Sequence, residues 1–183
     1  MGWVTHRSES KYENLWIRVR EDTVSGPNGA DGIYGVVATW HPAVFIVAVD
    51  DEDRMCLITI DRYTVGVSTE IPAGGSDGEE PLAAAKRELR EETGYEADDW
   101  TSLGSMYALN GIAEAREHVF LARGVRPLPS SEDAAASQAE EGIREVSWVP
   151  FERVLRMIAA GDVTDGETIA AVAKAGIALG RFR

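Results

Sequence analysis

The segment from Ile71 to Tyr95 constrains the fold of this chain more than any other, because its pattern predicts a strand end, a glycine-rich loop and one helix. Pro81 suits the first helical turn, where the N–H that proline lacks would have no partner. Gly94 suits the position after the last turn, where a left-handed backbone is favoured. The apolar positions between them recur at i, i+3 and i+7 and predict a core-facing stripe. They are Leu82, Ala85 and Leu89.

Three carboxylates form a neighbouring stripe of this helix. Glu88, Glu91 and Glu92 stand at i, i+3 and i+4, where side chains meet. Like charges at this spacing repel each other by a few tenths of a kcal/mol. A solvated acidic face is one interpretation. The other is a site for a hard divalent cation such as Mg²⁺ or Mn²⁺, because these ions prefer clustered carboxylate oxygens.

The same segment resembles the signature of the Nudix hydrolase family. Residues 87–95, Arg-Glu-Leu-Arg-Glu-Glu-Thr-Gly-Tyr, match its helical half, and Glu79 precedes Arg87 at the required interval of seven residues. Gly74 is separated from Glu79 by four residues instead of the family's five, so the loop is one residue short. Since the helical half holds the metal ligands in the family, the resemblance favours the metal-site interpretation.

The resemblance also implies roles for individual residues. Glu88 and Glu92 match the main metal ligands, and Glu91 matches a third. The carbonyl group of Ala73 matches a backbone ligand, which is a normal donor for a hard cation. Arg87 is implied to be structural and to hold a ligand carboxylate in place.

Several segments outside the signature resemble the branch of ADP-ribose and ADP-sugar pyrophosphatases. They are residues 15–20, 27–29, 32–37, 61–63, 70–74, 145–150 and 161–168. This branch implies metal-dependent hydrolysis of ADP-ribose or an ADP-sugar to AMP and a sugar phosphate. The loop at 109–114 lacks a proline that the branch often has, so the substrate is less constrained than the reaction. Alternatives are another nucleotide (a nucleoside triphosphate, a dinucleoside polyphosphate, NADH or a GDP-sugar) and a non-catalytic nucleotide-sensing domain.

Candidate substrate-binding residues lie in or near these segments. Arg62 is the best candidate for a phosphate contact, and a surface ion pair is its alternative. Trp16 could stack on a purine, and packing in a core or a dimer is equally compatible with it. Glu70 and Gly111 are further candidates for contacting the substrate.

A general base is also needed, because the helix carboxylates are implied to bind metal, and the resemblance to this branch implies that a late loop supplies it. The matching stretch here is residues 138–142, Gln-Ala-Glu-Glu-Gly. Glu140 or Glu141 is therefore a candidate catalytic base or an extra metal ligand. Both could instead be solvating loop acids.

The order of predicted elements is strands, a central helix, strands and then helices, which predicts an α+β fold with a mixed sheet. The resemblance implies an α/β/α sandwich over residues 41–183. We expect residues 1–40 to form a β-hairpin, from strands at 12–20 and 33–40. The resemblance to the ADP-sugar branch implies that this hairpin supports a homodimer and completes the substrate site. Residues 127–141 are predicted to be a loop, because they show no apolar period.

Composition excludes some partners. The formal net charge of −13 disfavours extended nucleic acid, whereas a small anionic substrate remains compatible with a bound cation. No apolar run is long enough to span a membrane. Cys56 is the single cysteine and lies in an apolar stretch, so we expect a buried thiol and a cytoplasmic location.

Overall fold

The structure is a computed structural model that describes residues 2–130 and 132–182. Met1, Ser131 and Arg183, which belong to the predicted segments 1–40, 127–141 and 41–183, lie outside the described residues. The chain divides into two compact units. The first comprises Met1–Pro42 and Met106–Glu117, and the second comprises Ala43–Ser105 and His118–Arg183.

The first unit contains an antiparallel meander of three strands, in which the second and third form the predicted hairpin and the first is an additional strand that the sequence did not predict. The strands are β1 (Val4–Glu13), β2 (Ile17–Ser25) and β3 (Asp31–Thr39). β1 pairs with β2, and β2 pairs with β3. The predicted strand at 12–20 is interrupted because Asn14 Oδ1 accepts hydrogen bonds from the backbone N–H groups of Trp16 and Ile17. β1 shows no buried face in this unit, so no apolar alternation revealed it.

Seven further strands follow, two of which run through both units. They are β4 (Ala43–Ala48), β5 (Arg54–Arg62), β6 (Gly66–Glu70), β7 (Ala73–Gly75), β8 (Tyr95–Ala108), β9 (Ala113–Pro127) and β10 (Ile143–Pro150), counted over the described ranges. In the first unit, the start of β9 pairs in parallel with β3. In the second unit, β4 lies beside β9 and pairs antiparallel with β7, while β5 pairs antiparallel with β6 and β10.

Helices pack on the strands of the second unit. They are α1 (Pro81–Thr93), α2 (Glu132–Glu141), α3 (Phe151–Ala160) and α4 (Gly166–Ala178). Ala85 and Leu89 of α1 are fully buried in one cluster with Val44 and Ile46 of β4, which confirms the apolar stripe. The α+β class with a mixed sheet is likewise confirmed. Within the described residues, no helix has the length and apolar content needed to cross a membrane.

Helix α2 occupies most of the stretch that was predicted to be a loop. Its residue Ala134 is 3% exposed. A Cβ atom built on Gly94 would lie 3.6 Å from the Cβ atom of Ala134, so α2 packs on the end of α1 through small side chains. Because this contact needs no row of large apolar residues, the segment carried no helical period.

Candidate active site

Helix α1 carries the acidic face, and caps define both of its ends. Glu80 Oε2 accepts hydrogen bonds from the backbone N–H groups of Leu82 (2.9 Å) and Ala83 (3.2 Å). Pro81 lies in the first turn, and Gly94 has a left-handed φ of 74° with its N–H bonded to the carbonyl oxygen of Arg90. The predicted start and end of this helix are therefore confirmed.

Two carboxylates of this face are buried. Glu88 is 5% exposed and Glu92 is 1% exposed, whereas Glu91 is half-buried. Glu92 Oε2 accepts a hydrogen bond of 2.8 Å from the backbone N–H of Ala73. Glu92 Oε1 is buried and has no hydrogen-bond partner among the described residues. This face thus offers a buried oxygen atom that protein groups leave unsatisfied.

Arg87 connects the carboxylates to the loop before the helix. Its Nη1 donates to Glu88 Oε1 at 2.8 Å and to Glu91 Oε2 at 2.9 Å. Its Nε donates to Glu79 Oε1 at 2.9 Å, and its Nη2 donates to the carbonyl oxygen of Gly75 at 2.9 Å. The guanidinium group therefore orients two carboxylates at once.

The loop that is one residue short closes through a tight turn. Asp77 and Gly78 have φ values of 49° and 86°, and Glu79 N donates to the carbonyl oxygen of Ser76 at 2.7 Å. Positive φ at both central residues is the geometry that Asp-Gly favours. Glu79 thereby reaches Arg87 in spite of the shorter loop.

Gly74 lies against the acidic face because β7 pairs with β4. A Cβ atom on Gly74 would lie 2.2 Å from the carboxyl carbon of Glu88. Real Cβ atoms do not approach this closely, so only glycine fits beside Glu88 in its observed position.

Burial makes the charged forms of these carboxylates unfavourable. It raises the pKa of Glu88 to about 7, against the lowering effect of Arg87. It also raises the pKa of Glu92 well above its ordinary value, against the N–H of Ala73. A nearby cation would offset this desolvation.

The carboxylate oxygen atoms of the acidic face are of the type that binds a divalent metal ion, but they are not arranged to coordinate one ion together. Among the side chains that the structure describes, no three of Asp, Glu, His or Cys stand in position to share an ion. Glu88 and Glu91 are turned instead to Arg87. Hard oxygen donors and the unsatisfied Oε1 of Glu92 are nevertheless the groups that Mg²⁺ or Mn²⁺ would use.

Arg62 and Glu70, both candidates for substrate binding, form an ion pair with each other. Arg62 Nη2 lies 2.6 Å from Glu70 Oε2, and Glu70 is 6% exposed. An ion pair is the alternative to a phosphate contact that the sequence left open for Arg62. Arg62 still interacts electrostatically with Glu92 and Asp165, so it is a positive charge beside the acidic face.

Helix α2 brings one of the two candidate bases to this face. Gln138 Nε2 donates to the carbonyl oxygen of Glu92 at 2.9 Å and fixes α2 against α1. Partial burial and the nearby charge of Glu91 raise the pKa of Glu141. Glu140 and Glu141 are both exposed, and no hydrogen bond or ion pair joins Glu140 to the acidic face in the described structure.

Trp16 and Gly111 belong to the first unit. The Trp16 side chain is 72% exposed, and the carbonyl oxygen of Gly111 accepts a hydrogen bond from the hydroxyl group of Tyr34. Sequence reasoning missed Gln138 and the steric role of Gly74. An alanine-rich run around Gln138 was the available signal for a helix there.

Comparisons with known proteins agree with this geometry. Residues 39–172 match the model of the NUDIX domain, and residues 3–37 match the nucleoside diphosphate sugar hydrolase N-terminal domain. An ADP-ribose pyrophosphatase of Mycobacterium tuberculosis is 32% identical over 92% of this chain and 80% of its own length.

Two further relatives match over the same share of the chain. An ADP-ribose pyrophosphatase of Bacillus subtilis is 34% identical, and a methanol dehydrogenase activator of Bacillus methanolicus is 30% identical; each match covers 92% of this chain and 89% of the relative. A crystal structure of an ADP compounds hydrolase superposes with a TM-score of 0.83 at 21% identity, over 98% of this chain and 95% of that one, which supports the fold.

Proposed function

This chain belongs to the Nudix hydrolase family, and from that premise we propose that it hydrolyses ADP-ribose or an ADP-sugar to AMP and a sugar phosphate. The observation that carries the proposal is the combination of two segments in one chain. An acidic helix face stands in a NUDIX domain, and the residues before it match the N-terminal domain of nucleoside diphosphate sugar hydrolases. The two ADP-ribose pyrophosphatases resemble the chain across both segments.

Enzymes of this family act with divalent metal ions, and we propose Mg²⁺ or Mn²⁺ for this chain. When bound, such an ion would supply polarisation of phosphoryl oxygen atoms and would lower the pKa of a water molecule. Glu88 and Glu92 are the proposed main ligands, with Glu91 and the carbonyl group of Ala73 as further ones. The unpartnered Oε1 of Glu92 and the raised pKa of Glu88 support this assignment.

The remaining roles concern protons and phosphate groups. Glu141 accepts a proton from the attacking water, and its raised pKa makes it a stronger base than an ordinary glutamate. Arg87 positions Glu88 and Glu91, and Arg62 binds a phosphate oxygen when Glu70 releases part of its guanidinium group. Glu70 thereby acts on the substrate through Arg62. Glu140 is not part of this mechanism.

The first unit is proposed to support a homodimer and to complete the substrate site with Trp16 and Gly111. Its exposed apolar side chains support the pairing of two copies, since large exposed patches mark interaction surfaces. Leu15 is 83% exposed, and Trp16 and Ile33 are each 72% exposed. The single buried cysteine is compatible with a cytoplasmic location.

A product-resolved substrate screen tests the proposal. The purified chain is incubated with Mg²⁺ and, in separate reactions, ADP-ribose, ADP-glucose, GDP-mannose, NADH and nucleoside triphosphates. We expect AMP and ribose 5-phosphate from ADP-ribose, with no turnover after removal of the metal by EDTA. Turnover of triphosphates alone, with release of pyrophosphate, would contradict the ADP-sugar assignment. No turnover of any substrate would favour a sensing role.

A further inference from the structure

A cleft of about 750 Å³ lies along α1, and neither Glu88 nor Glu92 lines it, although Glu91 and Arg87 stand at its edge. Lys86 and Arg90 line it, and each stands two residues from Glu88, a spacing that places side chains on different sides of a helix. The opposite wall comes from Leu128 and Pro129, which follow β9, and from α2. We call this space the outer cleft.

The outer cleft concentrates positive charge in an acidic protein. The net charge of the chain is −13, yet the three cations Lys86, Arg87 and Arg90 line this space together with a single carboxylate, Glu91. Arg87 is committed to Glu79, Glu88 and Glu91. Lys86 and Arg90 are exposed, and neither forms an ion pair with another side chain that the structure describes. Their donors are therefore available to an anion.

The opposite wall is apolar except for Ser130, and it is firmly held. The backbone N–H of Leu128 donates to the carbonyl oxygen of Gly94 at 2.9 Å. Ala134 is buried against the same glycine, and Gln138 ties α2 to the end of α1. The volume is within the range of small-molecule sites, roughly 300–1,000 Å³. An inorganic anion would use the cations alone, whereas an organic anion would also cover the apolar wall.

We propose that the outer cleft binds an organic phosphate monoester. Its phosphate group accepts hydrogen bonds from Lys86 and Arg90, for which charge-assisted bonds to phosphate are strong. Its organic part packs on Leu128 and Pro129. The ligand joins α1 to the segment that leads into α2, so its binding stabilises the position of α2 and of Glu141 at the end of that helix.

Calorimetric titration of the Mg²⁺-loaded full chain tests this site, with AMP and ribose 5-phosphate as separate probes. The test variant is the double substitution Lys86→Ala and Arg90→Ala. The control is Arg153→Ala and Arg156→Ala, which removes the same charge from exposed positions of α3. We expect the wild type and the control to bind one equivalent of at least one probe that the test variant binds about tenfold more weakly or not at all.

Two further titrations separate the possible sources of binding. Adenosine should bind the outer cleft at least about tenfold more weakly than AMP, because it lacks the phosphate group. Inorganic phosphate that binds as tightly as AMP would show a free-phosphate site and overturn the assignment of the organic part. Equal binding of both probes by all three proteins would overturn the site itself.

Turnover of ADP-ribose without added product separates this proposal from the proposed function. The test variant should retain the wild-type rate, because neither residue contacts the acidic face. If the wild type turns over no ADP-ribose, the proposed function fails while the titrations still decide the outer cleft. If the control variant also failed to bind the equivalent of probe that the test variant loses, overall charge would explain the effect. That result would overturn the site.

Discussion

Glu88 and Glu92 occupy positions that folding alone does not favour. Both are buried, and burial raises the pKa of each in spite of the hydrogen bonds from Arg87 and Ala73. A buried carboxylate that ionises at working pH costs stability unless a cation offsets the charge. This arrangement is typical of functional sites, where strain or desolvation is balanced by a ligand.

Glu88→Gln should stabilise the metal-free protein at pH 8. The folded-state pKa of Glu88 is about 7, above its ordinary value of 4.5, so the folded state binds this proton more tightly than the unfolded state. The stabilising contribution is therefore present below about pH 4.5 and lost as pH rises through about 7. In EDTA, the variant should melt roughly 3 °C or more above the wild type at pH 8 and close to it at pH 5.

Thermal denaturation at both pH values, with and without Mg²⁺, measures this effect. Mg²⁺ should raise the wild-type melting temperature more than that of the variant, and the variant should lose turnover. The same difference in melting temperature at pH 5 and pH 8 would contradict the assigned protonation behaviour.

Gly74→Ala should impair turnover far more than Gly75→Ala. The new Cβ atom at position 74 would overlap the Glu88 carboxyl group and displace it, and a shift of about 1 Å at a reacting centre can cost about a hundredfold in rate. At position 75 the nearest atom is Oδ1 of the exposed Asp77, at 3.1 Å. Measured kcat values for both variants check this, with circular dichroism as the folding control. An equal loss of kcat in the two variants would show that alanine impairs the loop at either position. It would contradict the specific steric role of Gly74.

At the scale of elements, α1 and α2 each contribute different residues to the proposed site. α1 carries the proposed metal ligands on a face set by its own spacing, whereas α2 presents Glu141 from a separate part of the chain. Gln138 joins the two helices through the carbonyl oxygen of Glu92. The position of the proposed base thus depends on how α2 packs.

Glu141→Gln should lower kcat by about a hundredfold, the lower end of the range for general-base catalysis. Glu140→Gln is the matched control, since it removes the same charge from the neighbouring exposed residue, and its kcat should stay within about threefold. In addition, the acidic limb of the wild-type pH–rate profile should change in the Glu141 variant, because the pKa of this group is raised. If neither variant loses more than a few-fold in kcat, Glu141 is not the base.

For the molecule as a whole, the first unit has the exposed apolar surface that is typical of an interaction site. Its apolar side chains at Leu15, Trp16 and Ile33 are largely exposed. The matched N-terminal domain of nucleoside diphosphate sugar hydrolases covers the same residues. We therefore assign the proposed dimer contact to this unit.

Light scattering after size-exclusion chromatography should give about twice the chain mass of 19.9 kDa. Replacing Leu15 and Ile33 together by Ser should weaken the dimer by about tenfold or more in dissociation constant, as loss of interface anchors does. Tyr63→Ser is the control, because Tyr63 is fully exposed in the second unit. A wild-type monomer at micromolar concentration would rule out the dimer.

Local rules were sufficient for the central helix and its acidic face. Pro81, Gly94 and the 3.6-residue period specify where α1 begins, where it ends and which residues it buries, because each of these effects acts within one or two turns. The spacing of Glu88, Glu91 and Glu92 is equally local. The reaction class came from the resemblance of this segment to the Nudix signature, because the spacing alone also fits a solvated acidic face.

The contacts that complete the site could not be inferred in this way. The bonds from Ala73 to Glu92 and from Gln138 to Glu92 join residues 19 and 46 positions apart, and no local pattern encodes such separations. The proposed choice of Glu141 over Glu140 rests on the interaction of Glu141 with Glu91 and Glu92, which depends on how α2 packs on Gly94 through Ala134. Residue spacing therefore determined the helix and its carboxylates, whereas long-range packing decided which buried oxygen atoms stay unsatisfied and which acid faces them.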